Sequence, residues 1–190
     1  MRQPTPTATI PLTDKVYAMD AKGTALVVGT ADLQMHVFDL TSGSKMAQYA
    51  SPLQYQLRTV SIFADMKGYA LGSIEGRTAI EYFDEMHIKN NQGMAKNTSI
   101  KPKDFAFKCH RDGNNVYAIN AIDFHPKNTF MTCGSDGIIC TWDKDSRQRL
   151  GLLERYKLKC PISAGKFNKM VMLYNLIFLF VNQLIDVVMK

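Results

Sequence analysis

Polar and apolar residues alternate along most of this chain in short runs separated by turns rich in Gly, Asn and Asp. The clearest run is RTAIEYF, residues 77 to 83, where Thr78, Ile80 and Tyr82 share one side and Ala79, Glu81 and Phe83 the other. A period of two marks a half-buried β-strand. The same reading predicts strands at 15–20, 24–29, 34–39 and 45–50, then at 58–63, 68–73, 77–83 and 104–109, then at 117–123, 129–133, 137–142 and 148–153. In YAINAIDF, strict alternation sets Ala118, Asn120 and Ile122 against Tyr117, Ile119, Ala121 and Asp123. A further strand begins in PISAGKFN, residues 161 to 168, where the pattern stops. The tail KMVMLYNLIFLFVNQLIDVVMK, residues 169 to 190, is mostly apolar, interrupted by Asn175, Asn182, Gln183 and Asp186. Its unbroken core, Leu176 to Val181, is too short to span a bilayer, so the tail is expected to form a buried or amphipathic helix and no membrane span.

The strand groups repeat. Asp32, Phe38 and Asp39 stand at the same mutual offsets as Asp136, Trp142 and Asp143, which aligns VVGTADLQMHVFDL with TCGSDGIICTWDK. GYALGSIEGRTAIEYFD, residues 68 to 84, is a third copy, aligned through Gly29, Gly72 and Gly134. An insertion, EMHIKNNQGMAKNTSIKPK at residues 85 to 103, lengthens the interval before the next copy. Repeats of about 40 to 45 residues, each holding four short strands, are blades of a β-propeller.

FAFKCHRDG, residues 105 to 113, and CGSDGIICTWDKDSRQRL, residues 133 to 150, fit within one such blade. There Asp136 can orient His110, His110 can reach a hydroxyl such as Thr132, and Trp142 can donate its indole N–H. That network is architectural. The fold class is therefore all-β: a partial propeller over residues 1–168, about three and a half blades, followed by the apolar tail at 169–190. An open arc of blades leaves strand edges uncovered, and self-association through them is expected.

Composition narrows the chemistry. The net charge of +6 suits an acidic partner, protein or RNA, yet the basic residues form no long run. The insertion is the most basic piece, with Lys89, Lys96, Lys101 and Lys103 against Glu85, and reads either as a solvated loop or as a contact for RNA or an acidic peptide. His36, His87, His110 and His125 are isolated, and Cys109, Cys133, Cys140 and Cys160 lack CxxC spacing, so neither metal nor cofactor is expected. The cysteines read as packed thiols of a reducing nuclear or cytoplasmic compartment. Ser135, His110 and Asp136 could be imagined as a hydrolytic triad, but the blade already accounts for all three and no nucleophile elbow is present. No enzyme is expected.

Taken together, SIEGR, FKCHR, HRDGNNVYAIN and WDKDSRQRL resemble the RNA-export propeller family of the nuclear pore, a cousin of the spindle-checkpoint propeller, over about residues 10 to 168. The resemblance implies a seven-bladed WD-repeat scaffold at the nuclear pore and nuclear envelope, partly cytoplasmic, that supports mRNA export by binding an acidic, helix-forming GLEBS segment of a nucleoporin. A kinetochore partner is the alternative within that class, and direct RNA or mRNP binding the alternative outside it. The positions matching the family's binding surface are Arg77, Phe107 and Lys108, with Glu75 and Arg111 as secondary candidates. Phe107 is open to two readings, partner anchor or blade packing. Family blades are missing upstream of Thr5, and the abrupt change after Asn168 is expected either of a truncated gene model, such as retained intron sequence, or of a short protein that completes its propeller by pairing with another chain.

Overall fold

The computed structural model describes residues 6, 9–83, 103–152, 160–167, 175–179 and 184–188. The insertion expected at 85–103 therefore lies outside the described residues except for Lys103. Among the described residues four sheets of three or four strands follow one another in chain order, each antiparallel with its strands paired sequentially. The first holds β1 (Val16–Lys22), β2 (Ala25–Thr30), β3 (Gln34–Asp39) and β4 (Ser44–Ala50). The second holds β5 (Leu57–Ile62), β6 (Gly68–Ser73), β7 (Arg77–Tyr82) and β8 (Phe105–Lys108). A small hairpin of β9 (Arg111–Asp112) and β10 (Asn115–Val116) leads to the third, which holds β11 (Ile119–Phe124), β12 (Thr129–Gly134), β13 (Ile139–Asp143) and β14 (Gln148–Leu152). The fourth holds β15 (Ala164–Phe167), β16 (Asn175–Leu179) and β17 (Leu184–Val188).

The last sheet corrects the expected helix. The described parts of the tail are two strands that continue the blade begun at β15, with Ala164 opposite Leu179 and Asn175 opposite Val188. A continuous apolar run does not separate a helix from strands that are apolar on both faces, and here the polar pair Asn182–Gln183 falls between the strands. Among the described residues no helix is long and apolar enough to cross a membrane.

The first strands of successive sheets, β1, β5, β11 and β15, lie side by side, so the sheets fan out from an inner rim. A hollow of about 600 Å³ runs along that rim, lined by Asp20, Lys22, Ser61, Asp123 and Lys166. Apolar side chains fill the wedges between sheets. Val27, Met35, Leu57, Ile62, Tyr69 and Leu71 pack between the first and second, and Phe63, Ile80, Ile119, Ile122, Phe124 and Phe130 between the second and third. Each fully buried side chain of this size contributes about 1.5–3 kcal/mol.

Two details depart from simple alternation. Each of β1, β5 and β11 carries an irregularity near its start, between Val16 and Ala18, Leu57 and Thr59, and Ile119 and Ala121. In β11 the extra residue resets the face, so Ile119 and Ile122, expected on opposite sides, enter the same core cluster. The pairing also aligns Gly72 with Cys133 and Ser73 with Gly134, one position away from the register read through the glycines.

Neighbouring sheets are clasped by side chains on main chain. Asp20 accepts from the Ile62 N–H at 2.7 Å, and Asp123 accepts from the Phe167 N–H at 2.7 Å. Ser61 occupies the matching place in β5. The second and third sheets are joined instead by a reciprocal pair: Asn128 Oδ1 accepts from the Asp65 N–H at 3.1 Å, and its Nδ2 donates to Asp65 Oδ2 at 2.9 Å. Lys144 is buried at the same junction, 3.6 Å from Asp65 and 2.7 Å from Asp145, with its ammonium over the Phe63 and Tyr82 rings. Burial alone would lower its pKa, but the Asp145 hydrogen bond and the nearby acidic groups outweigh that and raise it, so Lys144 stays charged.

Candidate functional site

The chain leaves β8 through Cys109 and His110, whose backbone sits at φ +52° and whose carbonyl accepts from the Tyr117 N–H at 3.0 Å. This turn aims the buried imidazole across to the third sheet. His110 Nδ1 lies 2.9 Å from Asp136 Oδ2, its Nε2 lies 2.8 Å from Thr132 Oγ1, and Trp142 Nε1 donates to that hydroxyl at 2.9 Å. One proton arrangement satisfies every group: Trp142 donates to Thr132, Thr132 donates to His110 Nε2, and His110 Nδ1–H donates to Asp136. Gly134 makes room for it, because a Cβ there would run into the His110 ring and the Asp136 carboxylate. Ser135 is engaged elsewhere, accepting from Asn120 at 3.0 Å, so both imidazole nitrogens are taken by Thr132 and Asp136 and none addresses Ser135. Cys109 and Cys140 are pushed up to about 12 by burial, which keeps both as thiols.

The charged candidates gather at the same end of the second sheet. Arg77 opens β7 directly opposite Lys108, which closes β8, so the two side chains share a face. Between β6 and β7 the chain turns at Gly76, φ +61°, packed so closely against the carbonyls of Cys109, His110 and Tyr117 that a Cβ would not fit. The turn brings Glu75 back beside Arg77, with Oε2 3.7 Å from Nε and side-chain exposures of 17% and 37%. Arg111 completes the group by donating to the Glu75 carbonyl at 2.7 Å. Three cations and one carboxylate thus occupy one corner of the propeller face.

Phe107 points the other way. As the neighbour of Lys108 on β8 it faces Trp142, with ring centroids 4.6 Å apart, and shares the opposite side of the strand with Phe105. It is half-buried and lines a groove of about 390 Å³ with Phe105, Lys108, Phe130, Trp142 and Arg147. The corresponding position in the first sheet is Tyr49, which is buried and contacts the Tyr69 hydroxyl of the second. Phe107 is therefore an instance of a packing contact made from one blade's outer strand to the next blade.

Arg147, part of WDKDSRQRL but not one of the expected partner contacts, sits with its guanidinium 4.6 Å from the centre of the Phe105 ring. Lys144 was likewise missed: WDK marks it only as a charge after the Trp-Asp pair, and its burial depends on Asp65, Phe63 and Tyr82 from the sheet before.

The family model described as "WD domain, G-beta repeat" matches residues 103–143, the stretch that contains the His110 network. Protein RAE1 of Arabidopsis thaliana is 42% identical over 88% of this chain, and the mRNA export factor GLE2 of Chaetomium thermophilum 43% identical over 88%. The Poly(A)+ RNA export protein of Schizosaccharomyces pombe is 45% identical over 79%. Over most of its length the chain is thus similar to proteins named as RNA export factors, and its residues 103–143 match a WD repeat. It spans less than half the length of these relatives, 44%, 45% and 41% respectively. Among solved structures, the WD40 repeats of RRP9 superpose with a TM-score of 0.66 over 89% of this chain and 46% of that one, at 12% identity, a likeness of fold alone. The four sheets are accordingly blades of a WD40-like propeller, and the His110 network lies in the segment that the repeat model matches.

Proposed function

We propose that this protein is a non-enzymatic interaction scaffold of the nuclear pore that supports export of mRNA from the nucleus, binding an acidic, helix-forming nucleoporin segment of the GLEBS type. The observation that carries the reading is the 43–45% identity to proteins named for RNA export over most of the chain. That shared wording favours an export partner over a kinetochore one. The corner built by Arg77, Lys108 and Arg111 supports it physically, since a planar guanidinium and an ammonium side by side offer a fork and a point charge to carboxylates. Phe107 contributes by fixing β8 against Trp142 and by lining the adjoining groove.

The test is calorimetric titration of the wild-type protein and Arg77→Glu with a GLEBS-type peptide, folding being checked in parallel. Arg77 is 37% exposed, so one contact there is worth under about 1 kcal/mol, and reversal adds repulsion. The expected loss is about three- to tenfold in affinity. Equal affinities for two folded proteins would remove Arg77 from the site. Salt separates the RNA reading: binding through several phosphates weakens steeply and log-linearly with salt, whereas a helix held partly by apolar contact keeps much of its affinity.

A further inference from the structure

Glu75 stands out within this corner because it has the wrong charge for a surface that receives carboxylates. Its oxygen is 3.7 Å from Arg77 Nε, beyond hydrogen-bonding range but well within Coulomb range, and the side chain is only 17% exposed, so water screens the pair less than at an open surface. The contact approaches the guanidinium from its Nε side. It lowers the effective positive charge of Arg77 and places a negative charge where an incoming carboxylate would approach.

The turn does not need that carboxylate. Glu75 is held by its main chain, the N–H donating to Ser73 Oγ at 3.3 Å and the carbonyl accepting from Arg111 at 2.7 Å. Gly76 then fixes the turn by packing against three carbonyls. Removing the charge of Glu75 leaves each of these contacts in place.

We propose that Glu75 is a built-in competitor: an internal carboxylate that occupies Arg77 in the free protein, weakens its attraction for acidic segments and so sets a threshold of negative charge that a partner must exceed. The inference rests on the acidic-partner reading above. It reverses the role expected of Glu75 from sequence, from partner contact to restraint on a partner contact. A weakly acidic segment gains little by displacing Glu75, whereas one carrying several carboxylates engages Arg77, Lys108 and Arg111 together.

The experiment uses the full chain and two synthetic helix-forming peptides, one rich in Glu and the other with every Glu replaced by Gln. Binding is measured for wild type, Glu75→Gln, Arg77→Gln and the double variant at low and high salt. Glu75→Gln is expected to bind the acidic peptide about two- to fivefold more tightly at low salt, the size of a partly exposed ion pair. The gain should vanish in the Arg77→Gln background, shrink at high salt and be absent for the Gln peptide. Unchanged or weaker binding by Glu75→Gln, while Arg77→Gln still loses affinity, would overturn the competitor role and leave the acidic-partner reading intact. Equal binding by wild type and Arg77→Gln would overturn that reading and the competitor with it. Thermal melting of Glu75→Gln close to wild type is the folding control.

Discussion

The first and third sheets share one strand register and carry opposite interiors. Pairing aligns Val28 with Thr132 and Phe38 with Trp142. In the third sheet a hydroxyl receives the indole N–H and passes its own proton to His110, so donors and acceptors form one closed set. The first sheet has neither the hydroxyl nor the indole: Phe38 is buried and stacks parallel to His36 at 6.3 Å. Its Asp32 turns instead to Thr30 and to Thr13, which precedes β1 much as His110 precedes β11. The hydroxyl and the indole are present or absent together, because an indole without an acceptor, or a buried hydroxyl without a partner, costs more than a well-packed apolar pair.

Truncation should break both interiors at the largest cost. Trp142→Ala is expected to lose about 3–5 kcal/mol, and Phe38→Ala a similar amount through packing alone. Urea unfolding of each variant measures this, and an unchanged midpoint for Trp142→Ala would show that the network carries no stability.

Converting the third sheet to the first sheet's chemistry sharpens the contrast. Thr132→Val alone leaves the Trp142 N–H and His110 Nε2 without partners and should cost about 2–3 kcal/mol. Adding Trp142→Phe to it should cost less than the two single losses combined, since each change removes a group the other has orphaned. Strict additivity in unfolding experiments would mean that the groups act independently.

The smallest effect is on pH dependence. His36 is buried, and among the described residues its Nδ1 has no hydrogen-bond partner. Burial first, and Lys45 second, lower its pKa, with Asp32 opposing. The folded protein therefore takes up the proton at lower pH than the unfolded chain, so this contribution to stability is complete above the ordinary histidine value and declines as pH falls below it. His125 shifts in the same direction through burial and Lys127. Between pH 7.5 and 5.5 the wild type should lose up to about 1 kcal/mol, and His36→Gln less. Urea midpoints at the two pH values decide it; equal losses would place the sensitivity outside the first sheet.

Strands were legible wherever one face is apolar and the other mixed. RTAIEYF declares β7 because Gly76 ends the preceding turn and the alternation runs unbroken. The tail was misread because NLIFL and LIDVV carry too few polar residues to show a period. The irregularity in β11 was invisible because an extra residue leaves composition unchanged while moving Ile119 to the other side. Of the site, the Asp136 and Trp142 spacing was readable since both belong to one hairpin, and His110 followed from its loop. Glu75 against Arg77 was not, because Glu75 lies in the turn between β6 and β7 and its approach to Arg77 depends on the backbone conformation at Gly76. Nor was the burial of Lys144, whose companions Phe63, Asp65 and Tyr82 are distant in sequence.

His110 leaves the outermost strand of one sheet, while Asp136, Thr132 and Trp142 belong to the next. The unit that repeats in the sequence is therefore out of phase with the unit that repeats in space, much as overlapping roof tiles are out of phase with the battens beneath them. Excising one sequence unit would not lift out one sheet but strip a strand from one and three from its neighbour. A propeller wound this way can gain or lose blades intact only at breakpoints displaced by one strand, so the buried histidine constrains where such a gene tolerates duplication as well as how the protein folds.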